Sequence, residues 1–177
     1  MFEKILSVVY TVINTCLFTD KRVVSLLWRG IDEVLGNLED LPFTVEVYFI
    51  DRFTKEHCAT INEYEPGAGD SPSAITVFCD GNLMHIVFSL DGINNLFATY
   101  NPFELYEEII GLARHESFHV LQYRYLFEHG GLEAIDKLNE AIGKVDYFDN
   151  VLERGAYEFQ YCGIVQDFEK EFAPFVA

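Results

Sequence analysis

Hydrophobic positions in this chain change their period twice. Near the N-terminus Ile5, Val8, Val9, Val12, Ile13, Cys16 and Leu17 recur at helical spacing, which predicts an amphipathic helix over Met1 to Phe18. Polar Ser7, Thr11, Asn14 and Thr15 interrupt it too often for a membrane span, and no small-residue cleavage site follows, so it is expected to stay. A second helix is predicted from Lys21 to Leu38, capped by Thr19 or Asp20. Its apolar stripe is Val24, Leu27, Trp28, Ile31, Val34, Leu35 and Leu38. Together these make an N-terminal helical hairpin over residues 1–40.

The period then drops to two. Phe43 to Arg52 alternates and is rich in β-formers, His57 to Glu63 is a weaker strand, and Ala74 to Cys79 joins Leu83 to Leu90 through the hairpin signal Asp80-Gly81. Glu65 to Pro72 holds two prolines and two glycines and is a loop by composition. Residues 43–90 are thus expected to form a small, mainly antiparallel sheet.

Helical spacing returns at Asn101-Pro102-Phe103-Glu104. Asn is an N-cap, Pro suits the first helical position, and Glu at the third completes a capping box. From Leu105 to Phe127 only Gly111 interrupts, and Gly130-Gly131 supplies a stop. A last helical stretch is predicted from Asn150 to Glu169. Residues 101–177 are therefore mainly helical, the class is α+β, and no repeat or linker divides the chain, which reads as one domain over 1–177.

The chemistry lies in the middle of the long helix. His115-Glu116-Ser117-Phe118-His119 is an instance of H-E-x-x-H. Histidines four apart sit one turn apart on one face, so both imidazoles can reach one ion, while Glu116 is rotated just far enough to reach a water on it. On the wheel His115 and His119 share their face with Glu108, Leu112, Gln122 and Leu126, and the rest is apolar enough to be packed nearly all round. Buried imidazoles need partners for their ring nitrogens, and a metal serves both. A catalytic zinc takes three protein ligands and leaves a fourth position for water, which makes Glu116 a general base in waiting.

HESFH followed by a helix carrying Glu153-Arg154-Gly155-Ala156, a Glu-x-x-Ala sequence, resembles the gluzincin zinc metallopeptidases, most closely the compact minigluzincins. The resemblance implies a zincin-like fold, Zn²⁺ held by His115, His119 and Glu153, and Ala156 as a small residue that lets two helices approach. It also implies an edge strand over the cleft that binds extended substrate by strand addition, a role falling on the last strand around His85 to Ser89. Glu153 shares a helix face with Tyr157, Gln160 and Ile164, flanked by Ala156 and Gly163, whereas Glu158 points well away. Tyr157, one turn after Glu153, is a candidate donor to a developing oxyanion. Glu108 is a candidate acceptor for an imidazole N–H, His129 suits a helix C-terminus, and His57 and His85 stand alone in the sequence.

Composition bounds the partners. With 29 acidic and 12 basic residues the formal charge is −17, which opposes nucleic acid and anionic membranes and reads first as a solvated surface, while the resemblance implies a peptide or protein substrate. Cys16, Cys58, Cys79 and Cys162 have no C-x-x-C spacing and read as thiols of a reduced, cytoplasmic protein. Three readings follow: a zinc metallopeptidase working through Glu116, a zincin-fold binding or regulatory module with zinc but without significant peptidase activity, or an α+β core domain in which the motif is coincidental and holds no metal. An intact Glu116 favours the first, since a structural zinc site needs no base.

Overall fold

The computed structural model describes residues 12–14, 21–38, 40–55, 72–79 and 82–177. Its elements are β1 (Val12–Asn14), α1 (Lys21–Leu35), β2 (Thr44–Ile50), β3 (Ala74–Cys79), β4 (Leu83–Ser89), α2 (Leu90–Thr99), α3 (Pro102–Ile142), a 3₁₀ turn (Tyr147–Asp149), α4 (Val151–Cys162) and α5 (Phe168–Val176). The α+β class holds.

The sheet is mixed, in the order β1-β2-β4-β3, and not mainly antiparallel as expected. β2 runs parallel to both β1 and β4, and only the β3–β4 pair is antiparallel. β3 comes between β2 and β4 in the chain but not in the sheet, so β2 and β4 pair in parallel across a gap no hairpin signal spans. Val12–Asn14 is a strand and not part of a helix. Val8, Val9, Val12 and Ile13 are β-branched and as suited to a pleat as to a helix, and pairing with Val47, Tyr48 and Phe49 decides the matter. The rest of that expected helix, the weak strand His57 to Glu63 and most of the loop Glu65 to Pro72 lie outside the described residues.

Strand alternation sorts the core. Val45, Val47 and Phe49 of β2, Met84, Ile86 and Phe88 of β4 and Ala74 and Thr76 of β3 turn one way and are buried. They face α1 and α3, with Leu27, Ile31 and Leu35 of α1 and Ile109, Ala113 and Val120 of α3 completing one apolar cluster. α1 crosses α3 at Gly30, where an added Cβ would lie 2.5 Å from the Ile110 carbonyl oxygen and 2.6 Å from Ala113 Cβ. No other residue fits there. Glu33 fixes the same crossing from outside: it takes Arg29 Nε at 2.9 Å and Arg114 Nε at 2.6 Å.

α3 starts as its sequence requires. Asn101 Oδ1 accepts from Phe103 N and Glu104 N, and Glu104 Oε2 accepts from Asn101 N, a closed capping box with Pro102 in the first turn. Its regular run ends at Gly131, whose φ of 64° and ψ of −157° break the helix before a second limb continues to Ile142. The other face of α3 packs on α4 and α5 through Phe118, which stacks on Phe159 at 4.6 Å and meets Phe168 at 5.6 Å. The C-terminal stretch is two helices rather than one from Asn150 to Glu169, because Gly163 adopts φ 65° and closes α4 as a left-handed cap. No described helix is long and apolar enough to cross a membrane.

Candidate metal centre

His115, Glu116 and His119 lie in the middle of α3, each at most 5% exposed. Glu153 comes to them from α4, and the reason is local. Asn150 caps α4 by accepting from Leu152 N at 2.9 Å, which places Glu153 in the first turn, where the helix dipole favours a carboxylate. Glycine at 155 leaves room beside Glu153 for two glutamine amides: an added Cβ would sit 2.4 Å from Gln166 Oε1 and 2.9 Å from Gln122 Nε2. Ala156, the small residue expected to permit the approach, is fully buried beside it, while Gly163 serves as a cap and flanks nothing.

Glu153 Oε2 lies 3.1 Å from His115 Nε2 and Oε1 lies 3.2 Å from His119 Nε2. One ligand atom from each of the three residues falls within 4.8 Å of the others, so this buried group can hold a metal ion. Donors about 2.0–2.1 Å from one tetrahedral centre stand roughly 3.3 Å apart, close to the spacings seen. Two imidazoles and a carboxylate are also a donor set that zinc accepts. Glu158, the competing carboxylate, is exposed on the far side of α4.

Which nitrogen of His119 faces Glu153 is set by a relay of amides. Gln166 Nε2 donates to the Val151 carbonyl at 3.0 Å, so its Oε1 is left to accept from Gln122 Nε2 at 2.8 Å. Gln122 Nε2 also donates to the Leu152 carbonyl at 2.9 Å. Gln122 therefore presents Oε1 to His119 Nδ1 at 2.7 Å, a contact that places a proton on Nδ1 and turns Nε2 toward Glu153. Glu108, the expected acceptor for an imidazole, instead takes the Tyr161 hydroxyl at 3.4 Å.

The electrostatics follow from burial and pairing. Burial raises Glu153, but the charge of His119 and the hydrogen bonds of both histidines outweigh it and hold the carboxyl well below its usual range. Burial lowers His119, yet Glu153, Glu116 and Gln122 carry it up to about 9. Glu116 is pushed up by burial, with the two histidines pulling the other way. Thr76 Oγ1, from β3, lies 2.8 Å from Glu116 Oε2 and 2.9 Å from the Glu116 carbonyl oxygen, and its single proton serves one of them at a time.

Glu116, His119, Glu153, Thr76, Ala74 and Tyr147 line a cavity of about 30 Å³, room for an ion and a water. Sequence reasoning missed Thr76 and Tyr147. Tyr147 sits in the 3₁₀ turn before α4, its hydroxyl donates to Glu153, and burial pushes its phenol well above the usual range. Nothing in the motif spacing marks either residue. Tyr157 packs its ring edge against His115 at 4.7 Å and meets Tyr147 at 6.2 Å, beside the cavity rather than lining it. Burial raises its phenol too.

The remaining histidines separate. His129 bonds the Tyr125 carbonyl at 2.8 Å near the end of the regular run of α3, as its position suggests. His57 lies outside the described residues. His85 is not alone: on the outer face of the sheet it meets Glu46 and Cys79. No family model, curated protein or solved structure matches the chain.

Proposed function

We propose that this chain is a zincin-like, zinc-dependent peptidase, with His115, His119 and Glu153 as the metal ligands and Glu116 as general base. The reading rests on one observation: beside three convergent donors, two of which, His119 and Glu153, line a cavity, a fourth buried side chain, Glu116, opens into that cavity and is met there by Thr76. A closed structural site has no use for that carboxylate. Zinc held by these residues would supply a Lewis acid for a scissile carbonyl and would make a neighbouring water acidic near neutral pH. Glu116 takes the water's proton and returns it to the leaving nitrogen, with Thr76 fixing its rotamer. Tyr157, packed against His115 and Tyr147, keeps its place as candidate donor to the carbonyl oxygen, since the Tyr147 proton is taken by Glu153.

Substrate recognition falls on β3, not on β4. β4 is sandwiched between β2 and β3, whereas β3 is the edge among the described residues. Ser89 N donates to Ser73 O at 2.8 Å, and antiparallel alternation then turns the backbone N–H and C=O groups of Ala74, Thr76 and Phe78 to the open side. An extended peptide adding there lies beside Thr76, and hence beside Glu116.

Purified protein is expected to carry about one equivalent of zinc, lost in His115→Ala and Glu153→Ala and retained in Glu158→Ala. Glu116→Gln should keep the metal and the fold while peptide cleavage falls by about 10²–10⁴-fold, read by mass spectrometry on a diverse peptide pool. Retention of zinc by Glu153→Ala refutes the ligand set. A wild type that cuts nothing at full zinc occupancy leaves the binding-module reading, and equal cleavage by Glu116→Gln refutes the base.

A further inference from the structure

On the sheet face turned away from the metal centre, three strands bring a thiol, an imidazole and a carboxylate into a row. Glu46 of β2 and His85 of β4 are direct partners in the parallel register, and Cys79 of β3 is the diagonal neighbour of His85, two positions along from Leu83. Cys79 Sγ lies 3.5 Å from His85 Nδ1, and the opposite ring nitrogen, Nε2, lies 3.3 Å from Glu46 Oε2. That second contact is too oblique for a formed hydrogen bond, so it is electrostatic. The carboxylate is steadied by Tyr48, whose hydroxyl donates to Oε2 at 2.5 Å and whose ring packs against the imidazole at 4.8 Å. The thiol also lies 3.9 Å from the Val77 carbonyl oxygen.

This order distinguishes between two chemistries. Metal ligands converge on a point, whereas here the imidazole stands between sulfur and carboxylate and uses a different nitrogen for each. Such a row suits proton transfer from a nucleophile to a base held by an acid. The histidine and glutamate side chains are 29% and 23% exposed, and Cys79 is half-buried, so small reagents can reach the row.

We propose that Cys79 is an activated thiol, a modification site for small electrophiles of the peroxide class, with His85 as its base and Glu46 and Tyr48 as positioning residues. His85 Nδ1 takes the thiol proton, and the thiolate attacks one peroxide oxygen. The S–O bond forms as the O–O bond breaks, sulfur is oxidised by two electrons and the peroxide reduced. The departing hydroxide recovers the proton from His85 and leaves as water, so the product is a sulfenic acid and the imidazole is restored. The inference does not depend on the metal site.

The chain carries its own reference in Cys162, which is more exposed than Cys79. With limiting iodoacetamide at neutral pH and peptide-resolved mass spectrometry, Cys79 should be alkylated about tenfold faster than Cys162. Hydrogen peroxide followed by dimedone should label Cys79 first. His85→Asn should bring Cys79 down to the rate of Cys162 or below, and Glu46→Gln should remove part of the advantage, while an unchanged Cys162 rate reports an intact fold. Equal reactivity of the two thiols in the wild type overturns the proposal without any variant. So does an advantage that survives His85→Asn, and a thiol that is alkylated quickly but gives no dimedone adduct overturns its peroxide part.

Discussion

Within HESFH one residue has no evident partner. Ser117 is fully buried and its hydroxyl meets no hydrogen-bond acceptor or donor. A buried hydroxyl without a partner forfeits its hydration and gains nothing back. Ser117→Ala is therefore expected to leave stability unchanged or raise it by up to about 1 kcal/mol in urea denaturation. A loss of more than about 1 kcal/mol would show that the hydroxyl is bonded. The neighbouring Glu116 is the contrast: it is as buried, but Thr76 meets it. The two readings of adjacent side chains were equally invisible in the sequence, because Thr76 is forty residues away and is brought to Glu116 only by the sheet.

Among elements, the contact that decides the position of the metal-site helix is α1 on α3. Glu33 receives Arg114, the residue before His115, and Arg29. Burial raises the Glu33 carboxyl, but the hydrogen bonds and charges of the two arginines outweigh it and hold it below 4.5, its ordinary value. A carboxyl depressed in the folded state adds stability above its unfolded pKa, and that contribution disappears as pH falls through the folded value. Glu33→Gln should thus cost up to about 1 kcal/mol at pH 7, the pair being a third exposed, and almost nothing once acid has protonated the wild type. Denaturation midpoints at neutral and acid pH check it, and a cost that persists in acid would place the effect in packing.

Local grammar made some elements legible. Asn101, Pro102 and Glu104 announced the start of α3 and Gly131 its break, because caps and left-handed glycines act over four or five residues. The parallel pairing of β2 with β4 was not legible, since strand order depends on a long connection, and neither was the strand at Val12–Asn14, whose β-branched residues satisfy both periods. In the site, HESFH was readable from spacing, and Glu153 through the resemblance carried by Glu-x-x-Ala. Tyr147, Thr76 and Gln166 were not, as each arrives through tertiary structure. Gly163 was taken for a packing residue and is a stop, a distinction that turns on its φ.

For the whole molecule, the candidate metal centre joins α3, at the heart of the core, to α4 through the contacts of Glu153 with His115 and His119. If zinc binds the folded chain and not the unfolded one, free metal at about 100 times its Kd adds about 2.7 kcal/mol. For a chain of this size that corresponds to about 5–10 °C in Tm. Chelation should remove the gain, and His115→Ala should show neither gain nor loss on adding zinc or chelator. An unchanged wild-type Tm on chelation would mean that the group does not hold metal in the folded protein.

The amide relay gives this tie a particular character. The carbonyls that orient Gln166 and Gln122 belong to Val151 and Leu152, the two residues immediately before Glu153. One turn of α4 thus delivers the carboxylate and, through two side-chain amides, dictates which nitrogen of His119 receives it. Slippage of that turn loses both at once, and its return restores both at once. The centre is consequently a lock whose key and wards are cut from the same piece of main chain.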